Sequence, residues 1–89
     1  MKFSDQVVDA LSNLHPGVRR DIRRQLDAAS EGRPCDVRAL HSPMEGWYRL
    51  RVGRHRVIFR YENGELIAEF LAPRNIVYEV FRSPRDLRF

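Results

Sequence analysis

Cysteine, lysine and long apolar runs are all scarce in this chain, and each shortage excludes something. Cys35 is the single cysteine in 89 residues, so no internal disulfide forms and no thiolate cluster holds zinc or an iron–sulfur centre. A reducing, cytoplasmic setting is expected. Apolar runs extend only a few residues, and none follows the amino terminus, which argues against a membrane span and a secretory leader. The rest of the composition, 43% hydrophobic and 31% charged, belongs to a folded globular chain. We expect residues 1–89 to form one domain with a thin core.

Lysine occurs once, and the other 15 of the 16 basic residues are arginine. Residues 1–45 balance seven basic against seven acidic side chains, so the whole net charge of +4 belongs to residues 46–89. Five arginines and no acid fall within residues 46–60. Arginine-favouring codon usage explains the missing lysine but not this asymmetry, which points to a polyanionic partner.

The first half has helical spacing. Ser4 is placed to cap a helix carrying Val7, Val8, Leu11 and Leu14 at intervals of three and four. His15-Pro16-Gly17 ends it, with His15 a turn or capping residue. Pro16 suits the first turn of a second helix to about Ser30, apolar at Val18, Ile22, Leu26 and Ala29 and basic at Arg19, Arg20, Arg23 and Arg24. Gly32, Pro34 and Pro43 bound a loop-rich stretch, with a short strand expected over Val37 to Leu40.

From Gly46 the period becomes two. Gly53-Arg54 and Asn63-Gly64 read as two-residue hairpin turns. With both loops that short, Val52 faces His55, Leu50 faces Val57 and Tyr48 faces Phe59. Across the next hairpin, Tyr61 faces Leu66, Phe59 faces Ala68 and Val57 faces Phe70. The expected fold is α+β: an N-terminal helical hairpin packed on one face of a small antiparallel sheet. The opposite face carries Arg49, Arg51, Arg56, Ile58, Arg60, Ile67, Glu69 and Leu71, with Arg51 directly across from Arg56. Like charges so paired cost stability, so this face is the candidate polyanion site, against the plainer alternative of a solvated sheet face.

Trp47-Tyr48-Arg49-Leu50-Arg51-Val52-Gly53, followed by Arg56-Val57-Ile58-Phe59 and later by Pro73-Arg74-Asn75-Ile76-Val77-Tyr78, resembles the RelE/ParE superfamily of toxins from bacterial type II toxin–antitoxin systems. The resemblance spans nearly the whole chain. It implies a RelE-like fold, a cognate antitoxin as partner, and, in the RelE branch, cleavage of mRNA on the ribosome. Arg49, Arg51, Arg56 and Arg74 match that branch's basic positions, and Tyr78 its aromatic, so these five are the implied catalytic set. Two departures stand out. Only Met1 to Phe3 precede the first helix, so the family's opening edge strand is short or missing and a sheet edge is expected to lie exposed. Pro73 stands where the family often has histidine or lysine.

Metal-free RNA cleavage requires the 2′-hydroxyl to lose a proton, attack phosphorus and expel the 5′-oxygen. Arginine forks suit the phosphate charge that builds up but make poor bases. Glu69 is read as either a general base or an ion-pair partner, the second being favoured, and Tyr78 as a stacking or proton-placing group or a packing residue. Arg54, Arg60 and Trp47 are candidate RNA contacts. His41 sits in a loop that nothing places, and His55 points to the helix side. No histidine pair has ligand spacing, so no metal or other cofactor is expected, and Cys35 reads as inert. The tail from Phe81 to Phe89 is expected to be ordered by RNA, ribosome or antitoxin. An apolar groove between the helices and the sheet edge would serve an antitoxin helix or strand. A ParE-like gyrase inhibitor and a non-catalytic nucleic-acid or partner-binding protein remain open alternatives.

Overall fold

A computed structural model describes residues 1–81. Its elements run β1 (Lys2–Phe3), α1 (Asp5–Ser12), α2 (Pro16–Ser30), β2 (Val37–Ala39), β3 (Trp47–Val52), β4 (His55–Glu62), β5 (Glu65–Pro73) and α3 (Arg74–Val80). The expected α+β architecture is present, but the sheet is mixed. Its order is β1-β5-β4-β3-β2, with β1 parallel to β5 and the other neighbours antiparallel. The tail, apart from Phe81, lies outside the described residues.

Local chemistry sets the helix boundaries. The Ser4 hydroxyl accepts from the Val7 amide at 3.2 Å, and the His15 imidazole caps α2 by accepting from the Gly17 amide at 3.1 Å, with Pro16 in the first turn. The two helices bury Val7, Leu11, Ile22, Leu26 and Ala29 against Leu50, Val57, Phe59, Leu66, Ala68 and Leu71 of the sheet. Phe59, fully buried, stacks on Tyr48 at 5.4 Å between ring centroids and meets the edge of Tyr61.

The β3–β4 register is the expected one, from Trp47 opposite Arg60 to Val52 opposite His55. Asn63 and Gly64 both have positive φ (52° and 79°), the type I′ turn that Asn-Gly favours. The β4–β5 register departs from expectation at a bulge. Phe59 faces Ala68, but Ile58 faces Phe70 and Val57 faces Leu71 rather than Phe70, leaving Glu69 as the extra residue. The bulge carries Leu71 into the helix-side core, correcting its expected place on the arginine face. Phe70 turns instead to a second cluster beneath α3, formed by Leu40, Ile58, Ala72 and Val77 with Met44, Trp47, Tyr78 and Phe81. Helices therefore lie on both faces of the sheet, because α3 covers part of the face opposite the hairpin.

The β5 edge is not left open. Short as it is, β1 pairs with Ile67 and Ala68, the Ser4 amide donates to the Ala68 carbonyl at 2.9 Å, and the Ser4 hydroxyl donates to the Glu69 carbonyl. The Gln6 amide then continues the ladder with a side chain: Nε2 donates to the Leu71 carbonyl at 2.7 Å and Oε1 accepts from the Leu71 amide at 2.8 Å. Replacing Gln6 by Ala removes both bonds. A loss of about 1–2 kcal/mol is expected, read as a lower urea midpoint at unchanged slope.

Candidate functional site

Two arginines are buried in the face opposite the helical hairpin, and their surroundings differ. Arg49 and Arg56 are each 4% exposed. Arg49 reaches sideways to the loop before β2, where Nη1 donates to Asp36 Oδ1 at 2.8 Å and to the Asp36 carbonyl at 3.1 Å. That hydrogen bond from Arg49 is the main reason the Asp36 carboxyl sits below its usual 3.8. Arg56 has no such partner: its Nη1 donates only to the Gly53 and His55 carbonyls. No carboxylate lies within ion-pair distance of it among the described residues. In both side chains Nε is buried without a hydrogen-bond acceptor.

Burial pushes the Arg56 guanidinium below its ordinary basicity, and the neighbouring charges of Arg51, Arg49 and Arg74 push it further. A buried cation with only neutral acceptors is costly. The strand pairing explains how it arises, since Arg51 and Arg56 are directly opposite across β3 and β4. The turn that follows β3 brings in Arg54, and the end of β5 brings in Arg74, whose amide donates to the Arg54 carbonyl at 2.9 Å.

These residues enclose an open cleft of about 520 Å³ lined by Arg51, Gly53, Arg54, Arg56, Pro73, Arg74 and Asn75. Four arginines meet there, with no carboxylate or histidine in the wall among the described residues. Arg74 is itself held in place. One turn along α3, the Tyr78 hydroxyl accepts from Arg74 Nε at 3.1 Å and Nη2 at 2.9 Å, and the guanidinium carbon lies 5.0 Å from the ring centroid.

Other singled-out residues lie elsewhere. Arg49 is tied to Asp36 and does not line the cleft. Arg60 lies at the far end of the face, where Nε donates to Glu69 and Nη1 to Glu62, both at 3.0 Å, with its guanidinium over Trp47 at 5.9 Å. Glu69 accordingly partners Arg60 and not Arg49, because the bulge moves it along the strand. His41 is not part of the wall. His55 is half-buried, and burial followed by Arg54 and Arg56 lowers its basicity. Burial raises the Cys35 thiol, which makes it a poorer nucleophile. Among the described residues, no group of three or more His, Cys, Asp or Glu side chains is arranged to hold a metal ion, and no helix is long and apolar enough to cross a membrane. Residue type in the sequence could not separate the buried, unpaired Arg56 from its exposed neighbours.

The fold is α+β, with an arginine-lined cleft on the sheet face opposite the helical hairpin. No protein-family model matches the chain, and no curated protein does. Solved structures do. The chain is similar to one in the RelB–RelE antitoxin–toxin complex from Methanococcus jannaschii, with a TM-score of 0.74 at 18% identity over 91% of this chain and 99% of that one. It is similar to one in the archaeal RelE–RelB complex from Pyrococcus horikoshii, with a TM-score of 0.62 at 28% identity over 82% and 91%. The YoeB–YefM complex from Staphylococcus aureus gives a TM-score of 0.67 at 15% identity over 79% and 90%. The fold is RelE-like, in agreement with the resemblance carried by the central hairpin.

The two buried arginines should respond oppositely to substitution. Arg56→Met removes a buried charge that no carboxylate compensates, so stability should hold or rise by about 1 kcal/mol. Asp36→Ala strands the Arg49 charge and should cost about 1–2 kcal/mol, less than in a fully buried pair because Asp36 is half-exposed. Urea unfolding of both variants checks this. Since the Asp36 carboxyl is held below its usual value, its contribution is complete above that value and lost as pH falls through the folded one. Acid unfolding below roughly pH 4 should therefore be shallower in Asp36→Asn than in the parent.

Proposed function

We propose that this chain is the toxin of a type II toxin–antitoxin pair and that it cleaves mRNA on the ribosome, acting in the cytoplasm as one domain of residues 1–89. The observation carrying this reading is the cleft in which a buried guanidinium, Arg56, with no carboxylate partner among the described residues, is ringed by Arg51, Arg54 and Arg74. A phosphate group entering there supplies the missing counter-charge, so the binding site is preorganised at the expense of the free protein's stability.

In cleavage, the ribose 2′-hydroxyl gives up its proton as its oxygen attacks the adjacent phosphorus, the bond from phosphorus to the 5′-oxygen breaks, and that oxygen takes a proton from solvent, leaving a 2′,3′-cyclic phosphate and a 5′-hydroxyl. Negative charge accumulates on the phosphate oxygens, where Arg56 donates from below and Arg74 and Arg51 from the rim. Tyr78 fixes the Arg74 fork through its hydroxyl. Glu69 is occupied by Arg60, so the cleft contributes charge stabilisation and orientation while the proton acceptor comes from outside its wall. Such an active site depends on being presented with a correctly held RNA, which is what a ribosome-bound message provides.

The RelB–RelE and YoeB–YefM complexes support a protein partner. A groove of about 260 Å³ formed by Phe3, Val8, Leu11, Ser12, Arg19 and Arg23 offers an apolar floor with a basic rim to an antitoxin segment.

Primer extension on a reporter mRNA in a bacterial translation reaction tests the proposal. Codon-phased cuts are expected that require ribosomes and fall by about 10²-fold or more in Arg74→Ala and Arg56→Met. Tyr78→Phe should fall less, because the Arg74 charge remains. Intact mRNA with correctly folded protein would sink the nuclease, and accumulated gyrase–DNA breaks in its place would identify a ParE-like inhibitor.

A further inference from the structure

The arginine surface does not stop at the cleft. On the edge strand β2, Arg38 lies directly opposite Arg49, so its side chain leaves the sheet on the same face as Arg49, Arg51 and Arg56. It is diagonal to Arg51, a relation that puts Cβ atoms about 7–8 Å apart. Arg38 is exposed and has no ion pair among the described residues. The Arg51 side chain is 58% exposed, and its one ionic contact, to Asp36, is 4.0 Å long. The carboxylate between them is already committed to Arg49 by a 2.8 Å hydrogen bond. Asp36 thus cancels the buried Arg49 charge and leaves Arg38 and Arg51 to face solvent.

Resting on the nuclease reading above, we propose that single-stranded RNA crosses the sheet from the cleft toward β2, and that Arg38 binds a phosphate outside the cleft, one step beyond Arg51. Arg74, directly after β5, stands at one end of this track and Arg38, on β2, at the other, with one carboxylate along it among the described residues. A basic residue on an edge strand has a simpler use, keeping another strand from pairing there. The two roles differ in their salt dependence, since only a phosphate contact releases counterions on RNA binding.

The test is fluorescence anisotropy with a labelled, uncleavable 2′-O-methyl oligoribonucleotide of about twelve nucleotides, titrated at several salt concentrations, with a dinucleotide that fills only the cleft as comparison. Arg38→Ala should weaken the longer RNA several-fold at low salt and flatten the slope of log affinity against log salt by about 0.7, the value for one single-strand phosphate contact. Arg38→Lys should restore most of that slope. Dinucleotide affinity should not change in Arg38→Ala, and Arg24→Ala, on α2 across the molecule, should change neither. If Arg38→Ala leaves the longer RNA's slope intact while Arg74→Ala flattens it, the track ends at Arg51 and the inference is overturned with the cleft still standing. Should neither substitution alter the slope, the cleft assignment fails as well. Tighter binding of duplex than of single-stranded RNA would also overturn the inference. Melting temperatures within about 2 °C of the parent establish that the variants are folded.

Discussion

The structure turns on a guanidinium that is out of water and, among the described residues, has no counter-charge. Arg56 is the second residue of β4, the strand between β3 and β5, and its hydrogen-bond acceptors are the neutral carbonyls of its own turn. A scaffold selected for stability alone would place an aliphatic residue here. The hydrophobic core on the other face, from Val7 to Leu71, is what allows a small domain to hold such a group. The neighbouring Arg49 shows the other solution to the same burial, a carboxylate drawn in from the β2 loop. One arginine is paired with a carboxylate, and the other has only neutral carbonyls as acceptors among the described residues.

Much of this architecture is legible in the sequence because its signals are local. Ser4, His15-Pro16 and Asn63-Gly64 each act within a few residues, and the alternation from Trp47 to Tyr61 assigns faces without ambiguity. The signal fails in β5. There Leu66, Ala68 and Phe70 form one alternating set and Ile67 and Leu71 populate the other, so both faces are apolar and nothing in the pattern locates the bulge at Glu69. Glu69, the extra residue of that bulge, pairs with Arg60. The helix after Pro73 escaped for another reason: seven residues are too few to show a helical period, and α3 is held by Val77 packing under the sheet.

The arginine face was legible as a charge pattern but not as a site. Alternation places Arg49, Arg51, Arg56 and Arg60 together, yet each has a different fate once Asp36, Glu62 and Glu69 take their positions. Those acids come from the β2 loop, the β4 end and the bulge. Their pairing depends on tertiary placement that no spacing rule encodes. What separates Arg56 from the others is that no acid among the described residues lies nearby, and that is visible only in three dimensions.

The Gln6 contact with Leu71 joins positions 65 apart in the chain. Closing a loop that long carries an entropic cost that grows with its length, while the hairpins from Trp47 to Ala72 close over a few residues. By sequence separation alone, the meander's contacts are the less costly to close and the amino-terminal contact the more costly. The last tie of the β5 edge, at Leu71, lies two residues from Pro73 in the cleft wall, so opening of that edge reaches the cleft itself.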